Sequence, residues 1–270
     1  MATNPEAHRS PVAALLYGAP IGLLGGLIGL GGAEFRLPVL AGVFGYAARR
    51  AVALNLAISL VTVVSALLIR GGTLSLEPLV ALLPIALAMI CGAVCAAFFG
   101  VGHVHRISEV LLERSIVVLL VGIGIALIVE AFLPQGVTGF LPEDSSLPLR
   151  LSVSVVLGVL IGLVSSLLGV AGGELIIPSL VFVFGAGIKT AGTASLLISL
   201  PTVAVGVLRH RRLGSFAVRS DLTRTVAPMG VGSVAGAVVG GLFVGVVPAA
   251  ALKLVLGAIL IVSAVRIFYR

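Results

Sequence analysis

Charged side chains are scarce in this chain of 270 residues. Asp, Glu, Lys and Arg make up 10% of the residues, hydrophobic residues make up 59%, and the mean hydropathy is +1.27. A soluble domain carries about 25% charged residues. A chain of this composition cannot cover its surface with polar groups, which excludes an ordinary soluble domain and indicates a membrane protein.

The sequence also lacks the signatures of common active sites. It contains no nucleophile–base pair, phosphate loop or dinucleotide fingerprint, so we do not expect an enzyme. Cys91 and Cys95 are one helical turn apart in an apolar run, and we expect buried small side chains there. Two cysteines lack the further ligands of a metal site, and we predict no metal and no cofactor. Another polar group is interpreted as a solvated loop and helix start: His103, His105, Glu109 and Glu113.

Apolar segments fill most of the chain. Two of them, 34–48 and 175–188, are shorter than the roughly 20 residues that a crossing helix needs, and each follows a glycine-rich break. We interpret these two as re-entrant or half helices. The predicted class is therefore all-α integral membrane protein with about ten segments: 12–30, 34–48, 51–69, 79–100, 112–133, 149–168, 175–188, 190–208, 223–246 and 249–267.

One unit of sequence occurs twice. After a shift of 140 positions, residues 21–72 align with 161–212 without a gap. Shared apolar composition does not produce matched glycines, glutamates and prolines, so the alignment indicates a duplication. The identical pairs include Gly22/Gly162, Gly29/Gly169, Gly32/Gly172, Glu34/Glu174, Pro38/Pro178, Gly45/Gly185, Ser59/Ser199 and Thr62/Thr202.

Loop charges predict that the two units are inverted. Five segments are an odd number, so the second unit starts on the opposite side of the membrane. Basic loops face the cytoplasm, which places 101–114 and 209–224 inside and leaves the acidic loop 134–149 outside. The net charge of +7 is interpreted in the same way and not as a nucleic-acid surface. The predicted organisation is a cytoplasmic tail 1–10, a first repeat 11–133, an extracytoplasmic linker 134–148 and a second repeat 149–270, with both termini cytoplasmic.

The segments with the sequences Gly29-Leu-Gly-Gly-Ala-Glu-Phe-Arg-Leu-Pro38 and Gly169-Val-Ala-Gly-Gly-Glu-Leu-Ile-Ile-Pro178 carry the main functional signal. Paired glycines weaken a helix, and we predict that it opens there and that a short helix restarts near the glutamate. The start of a helix binds anions because its first amides lack partners. Inversion would bring both starts to one cavity in mid-membrane. The sequence therefore predicts a site for a small anion shared by both repeats.

Two interpretations of Glu34 and Glu174 remain open: a structural role at the helix start, or proton coupling, since a carboxylate inside a membrane is costly and usually functional. Arg36 has no counterpart, because Ile176 occupies the matching position. Arg36, Arg49 and Lys189 are candidates for gating or for attracting an anion.

A second matched set lies on one face of the following helix in each repeat, where hydroxyls and amides could bind an oxyanion or join helices. Together with the breaks it gives the predicted substrate site: Gly31, Gly32, Ala33, Glu34, Asn55, Ser59, Thr62, Gly172, Gly173, Glu174, Ser195, Ser199 and Thr202.

The paired blocks resemble the TauE/SafE family of membrane permeases, whose pattern is Gly-x-Gly-Gly-Gly, four residues and Pro. The first block matches at Gly29, Gly31, Gly32 and Pro38 and departs at Ala33. The second matches at Gly169, Gly172, Gly173 and Pro178 and departs at Ala171. The resemblance implies export or uptake of sulfite, sulfonates or related small organic anions across a bacterial inner membrane.

Three functions compete at this point. The leading interpretation is a secondary anion transporter, coupled to protons or driven by the membrane potential. The first alternative is a cation-coupled carrier or channel in which Glu34 and Glu174 bind the cation. The second is a non-transporting membrane subunit that scaffolds a partner.

Overall fold

Helices make up the architecture of the part of the chain that the computed structural model describes. That part comprises residues 10–75, 77–99, 118, 121–129, 131–132, 139–141, 145–168, 172–216 and 218–268, and it contains no strand. The polar group at His103, His105, Glu109 and Glu113 lies outside the described residues.

The first half contains α1 (Pro11–Leu24), α2 (Ala33–Pro38), α3 (Ala48–Thr73), α4 (Glu77–Ala81) and α5 (Leu83–Phe99). The second contains α6 (Leu147–Leu168), α7 (Gly173–Pro178), α8 (Ile188–Arg212), α9 (Arg219–Asp221), α10 (Ala227–Phe243) and α11 (Ala249–Phe268). Short π-helical stretches directly continue α1, α2, α7 and α9: π1 (Gly25–Gly29), π2 (Val39–Val43), π3 (Ser179–Val183) and π4 (Leu222–Val226).

Several helical stretches suit a bilayer, as the composition predicted. Among the described residues, five are long and apolar enough to cross a membrane: Pro11–Gly29, Arg50–Thr73, Leu147–Ser165, Ile188–Arg212 and Arg219–Phe243. Large apolar side chains lie on their outer surfaces, including Leu68 at 73% exposed. This confirms the predicted all-α membrane class. Cys91 and Cys95 are an exception to the sequence interpretation, because both side chains are exposed on α5 and not buried.

The duplicated unit has the same boundaries for the restarted helix in both halves, although the π-helical residues 25–28 correspond to α-helix at 165–168. The helices α2 and α7, and the stretches π2 and π3, begin and end at positions that differ by 140. Gly32 and Gly172 precede them with φ of +74° and +77°. The left-handed conformation suits glycine because no Cβ meets the backbone.

Two close helix contacts between the halves are equivalent to each other under the repeat. A Cβ on Gly18 in α1 would strike the carbonyl of Met229 in α10, and a Cβ on Gly158 in α6 would strike the carbonyl of Met89 in α5. Gly158 is the counterpart of Gly18 in the other repeat, and Met89 is the counterpart of Met229. Each half therefore packs its first long helix against the other half in the same way, through small residues that let backbones approach.

The helices α3 and α8 occupy equivalent places in the two repeats and run antiparallel. Leu56, early in α3, meets Gly206 late in α8, whereas Arg70, late in α3, bonds to Thr193 early in α8. Inverted repeats require this opposite direction. The number of crossings in each repeat, the domain boundaries and the side on which each loop lies remain predictions.

Candidate functional site

The predicted helix break of the first half is a tight glycine turn. Gly29, Gly31 and Gly32 have φ of +99°, +76° and +74°, so the chain leaves π1 and restarts as α2 at Ala33. In the second half, α7 begins at Gly173. Both glutamates fall in the first turn of the restarted helix, as the sequence indicated.

The breaks of the two halves meet. A Cβ on Gly173 would lie 3.1 Å from the Cα of Leu30 and 3.2 Å from the hydroxyl of Ser195. The carboxyls of Glu34 and Glu174 are close enough to interact electrostatically. Both side chains are buried, at 9% and 8% exposed. The structure therefore brings predicted site residues of both repeats to one junction.

Arg36 is completely buried next to the first break. One terminal nitrogen donates to Asn55 Oδ1 at 3.3 Å and to Ser59 Oγ at 2.9 Å. The other donates to Thr62 Oγ1 at 3.3 Å, to the carbonyl of Gly31 at 3.2 Å and to Ser233 Oγ at 3.4 Å. The three residues predicted to bind an oxyanion therefore bind this guanidinium, and Arg36 lies in the interior with them.

The amide of Asn55 also holds the start of α2. Its Nδ2 donates to the carbonyl of Ala33 at 3.0 Å, while Thr62 donates back along its own helix to Ile58 at 2.8 Å. The polar face of α3 is thus occupied by contacts within the first half and with Ser233.

The second half has the same polar face without the cation. Ile176 stands where Arg36 would be and packs in the apolar core at 2% exposed. Ser195 Oγ is buried and has no hydrogen-bond partner within the described residues. Thr202 donates to the carbonyl of Ile198 at 3.3 Å, and Ser199 is buried at 1% exposed. The missing arginine leaves a buried hydroxyl at the junction.

Glu34 is the other polar group at the junction that has few contacts. Both carboxyl oxygens are buried and lack a hydrogen-bond partner within the described part of the chain. Its electrostatic neighbours are Glu174 and Arg36. Buried polar groups are normally hydrogen-bonded, and an exception calls for an explanation. The exception lies in the break that both repeats share.

A comparison with known families adds to this geometry. The model of the sulfite exporter TauE/SafE family matches residues 2–127 and 154–270, which covers both halves and leaves out the linker. The chain belongs to the TauE/SafE family. This family is one of membrane transporters, so the glycine turns and buried carboxyls lie in a multi-pass transport protein. No curated protein and no solved structure matches the chain.

This TauE/SafE protein contains a second buried cation, Arg70, which the predicted segment 51–69 leaves in the following loop. Arg70 lies inside α3, because the helix continues to Thr73 and not only to residue 69. Its guanidinium donates to the carbonyls of Gly26 at 3.0 Å, Leu27 at 3.2 Å and Lys189 at 2.7 Å. It also donates to Thr193 Oγ1 at 3.0 Å.

Arg70 thereby joins π1 of one repeat to the start of α8 in the other. In the sequence, Arg70 is marked only by its position at the end of an apolar run. Its counterpart in the second half of this TauE/SafE chain is His210.

The two other candidates for gating or anion attraction are Lys189 and Arg49. Lys189 donates from Nζ to the carbonyl of Gly245 at 2.9 Å, and the side chain of Arg49 lies outside the described residues. The neighbouring Arg50 instead forms an ion pair with Asp221.

Tyr46 donates to Asp221 at 3.2 Å and shares a 2.8 Å hydrogen bond with Thr225. In this TauE/SafE protein Asp221 is an acid within the basic stretch 209–224, and this local contrast in charge marks it in the sequence.

Proposed function

We propose that this protein is a secondary transporter of a small anion, such as sulfite or an organosulfonate, and that the anion binds where the two broken segments meet. The observation that carries the proposal is the contact of Leu30 with Gly173 beside Ser195 and the buried glutamates. Transport follows by alternating access of this junction to the two sides of the membrane.

The second half supplies the anion ligands in this proposal. α7 and π3 form one helical stretch, Gly173–Val183, whose first amides carry partial positive charge. Ser195 offers a hydroxyl donor next to Gly173. A hydroxyl and a helix start together suit the acceptor oxygens of a sulfite or sulfonate group.

The first half supplies a fixed cation. The guanidinium of Arg36 is held by neutral groups and interacts electrostatically with Glu34. Its charge offsets part of the negative charge at the junction, so an anion can enter a site that contains two carboxyls.

Glu34 and Glu174 couple proton movement to anion movement in this scheme. Two carboxylates and an anion repel one another strongly in a region of low dielectric constant. A proton bound by either carboxyl lowers that repulsion, so the loaded site carries a proton together with the anion.

Flux through the purified protein in liposomes tests the proposal. We expect uptake of sulfite or a sulfonate that an imposed pH gradient stimulates. Glu34→Gln and Glu174→Gln should abolish the stimulation and leave anion binding intact, because glutamine keeps the shape and cannot exchange a proton. Glu77→Gln, at the exposed start of α4, is the matched control.

Two results would contradict the proposal. If none of sulfite, sulfonates, sulfate and carboxylates crosses the membrane, the protein is not a small-anion transporter. The result would then favour a non-transporting membrane subunit that scaffolds a partner. If the glutamine variants lose binding of a cation such as Na⁺ instead, the cation-coupled alternative replaces proton coupling.

The proposed location is the bacterial inner membrane with both termini in the cytoplasm. The basic stretch 209–224 supports it, because Lys and Arg concentrate in cytoplasmic loops. The linker 134–148 then lies outside.

A further inference from the structure

A cavity of roughly 170 Å³ opens between the end of α3 and the start of α8. Its polar lining consists of Ser75, Lys189, Thr190 and Thr193, and leucine and proline side chains complete the wall. The volume is several times the roughly 30 Å³ that a water molecule occupies in the liquid. A small oxyanion fits a space of this size.

Lys189 is the one charged residue among the described residues that line this cavity. Lys189 uses its ammonium for one hydrogen bond to the carbonyl of Gly245, and an ammonium has three donors. Arg70 lies directly behind the wall and donates to the lining residue Thr193. No acidic side chain lines the cavity in the described part of the chain. The lining therefore combines one cation, Lys189, with hydroxyl groups. Arg70 lies behind it, and the exposed Glu77 directly precedes the lining residue Pro78.

The matching end of the other repeat has a different arrangement. The counterpart of Thr190 is Arg50, and its guanidinium is paired with Asp221. An internal carboxylate is therefore present at that end. Arg49, directly before Arg50, is the counterpart of Lys189, and its side chain lies outside the described residues. The end of the protein at Lys189 has no such carboxylate among the described lining residues, which leaves its charge available to a ligand.

We propose that this cavity is a second anion site, which takes a small oxyanion of the sulfite or sulfonate class before it reaches the junction. The proposal rests on the proposed function in identifying the ligand with the transported anion. Arg70 connects the two sites, since it also holds the carbonyls of Gly26 and Leu27 just before the first break. The cavity thus serves as the entrance or exit on the side where α8 begins.

Equilibrium binding of sulfite and of ethanesulfonate to the full chain in lipid nanodiscs tests this site. We expect two saturable anions per chain. Lys189→Gln should weaken one of them about tenfold or more, because a hydrogen bond to a charged donor is lost. Glutamine removes the charge and keeps a polar N–H donor on a shorter side chain. Lys189→Arg should stay within about threefold, since it restores the charge.

Controls separate this site from the junction. Arg219→Gln removes an exposed cation beyond the far end of α8 and should change neither affinity. Ser195→Ala should weaken the other anion and leave the Lys189-sensitive one intact. Ser75→Asp places a carboxylate in the cavity wall and should abolish the site even if Lys189→Gln folds poorly.

The outcomes are distinguishable. If only one anion binds and neither Lys189→Gln nor Ser75→Asp changes its affinity, the second site is overturned and the proposed transport function stands. Binding that depends on Lys189 in a protein without flux keeps the second site and overturns the transport function.

Discussion

Arg36 donates a 2.9 Å hydrogen bond to the hydroxyl of Ser59, and both side chains are completely buried. The corresponding residues of the other repeat are Ile176 and Ser199. The two repeats therefore differ in charge at equivalent positions. The first repeat has a buried cation at this place, and the second has an apolar side chain and a buried hydroxyl.

Replacing Arg36 should destabilise the protein. In Arg36→Gln most of the donors to Asn55, Thr62 and Ser233 are lost, and buried acceptors are left without partners. We expect a cost of about 2–4 kcal/mol, measured as a lower melting temperature in detergent. Arg209→Gln on the exposed end of α8 should stay within about 0.5 kcal/mol of wild type. Equal melting temperatures for both variants would mean that the network contributes little.

The contact between π1 and α8 should not tolerate a methyl group. A Cβ on Gly192 would strike the carbonyl of Ile28 and come within 2.9 Å of the Arg70 guanidinium. Gly192→Ala should therefore destabilise the fold by about 1–3 kcal/mol and reduce transport, since overpacking moves the break. Thermal unfolding and liposome flux measure the two effects.

Gly71 is the matched control for Gly192. It also lies in a long helix, but a Cβ there would meet nothing within 4 Å. Gly71→Ala should be neutral or stabilise the protein by up to about 1 kcal/mol, because alanine favours the helix. If the two alanine variants behave alike, the close approach of α8 to π1 is not required.

Ser195 should separate binding from stability. Its hydroxyl is buried without a partner in the described residues, so Ser195→Ala should leave the melting temperature unchanged or raise it slightly. Loss of one hydrogen bond to the anion should weaken binding about threefold to tenfold. Ser65→Ala, where the hydroxyl bonds along α3 to Val61 at 2.8 Å, should not change anion affinity. A lower melting temperature with unchanged affinity would assign Ser195 a structural role.

The inverted arrangement predicts which loops an impermeant thiol reagent reaches. In a background without Cys91 and Cys95, Ser146→Cys in the 134–149 loop should be labelled from outside intact cells. Ser220→Cys, in the basic stretch that contains the Arg50 partner Asp221, should be labelled only after the membrane is opened. The reverse pattern for either position would refute the predicted orientation.

Local sequence patterns predicted much of the fold. The turns at Gly32 and Gly172 follow from the sequence because positive φ is a local demand that glycine meets. Helix ends were less accurate, and the extra turn of α3 changed the position of Arg70 from a loop to a buried helix. Cys91 and Cys95 were expected inside, yet the lipid around a membrane helix is as apolar as its core, so hydropathy does not tell the two faces apart.

The sequence by itself determined the membrane class, the duplication and the break, because composition, matched glycines and backbone preference act over short stretches of chain. Only the tertiary structure decided the partners of the buried charges. Arg36 reaches Ser233 in the other repeat, and Arg70 reaches Thr193. A buried guanidinium needs several acceptors at once, and the packing of distant helices decides which acceptors surround it.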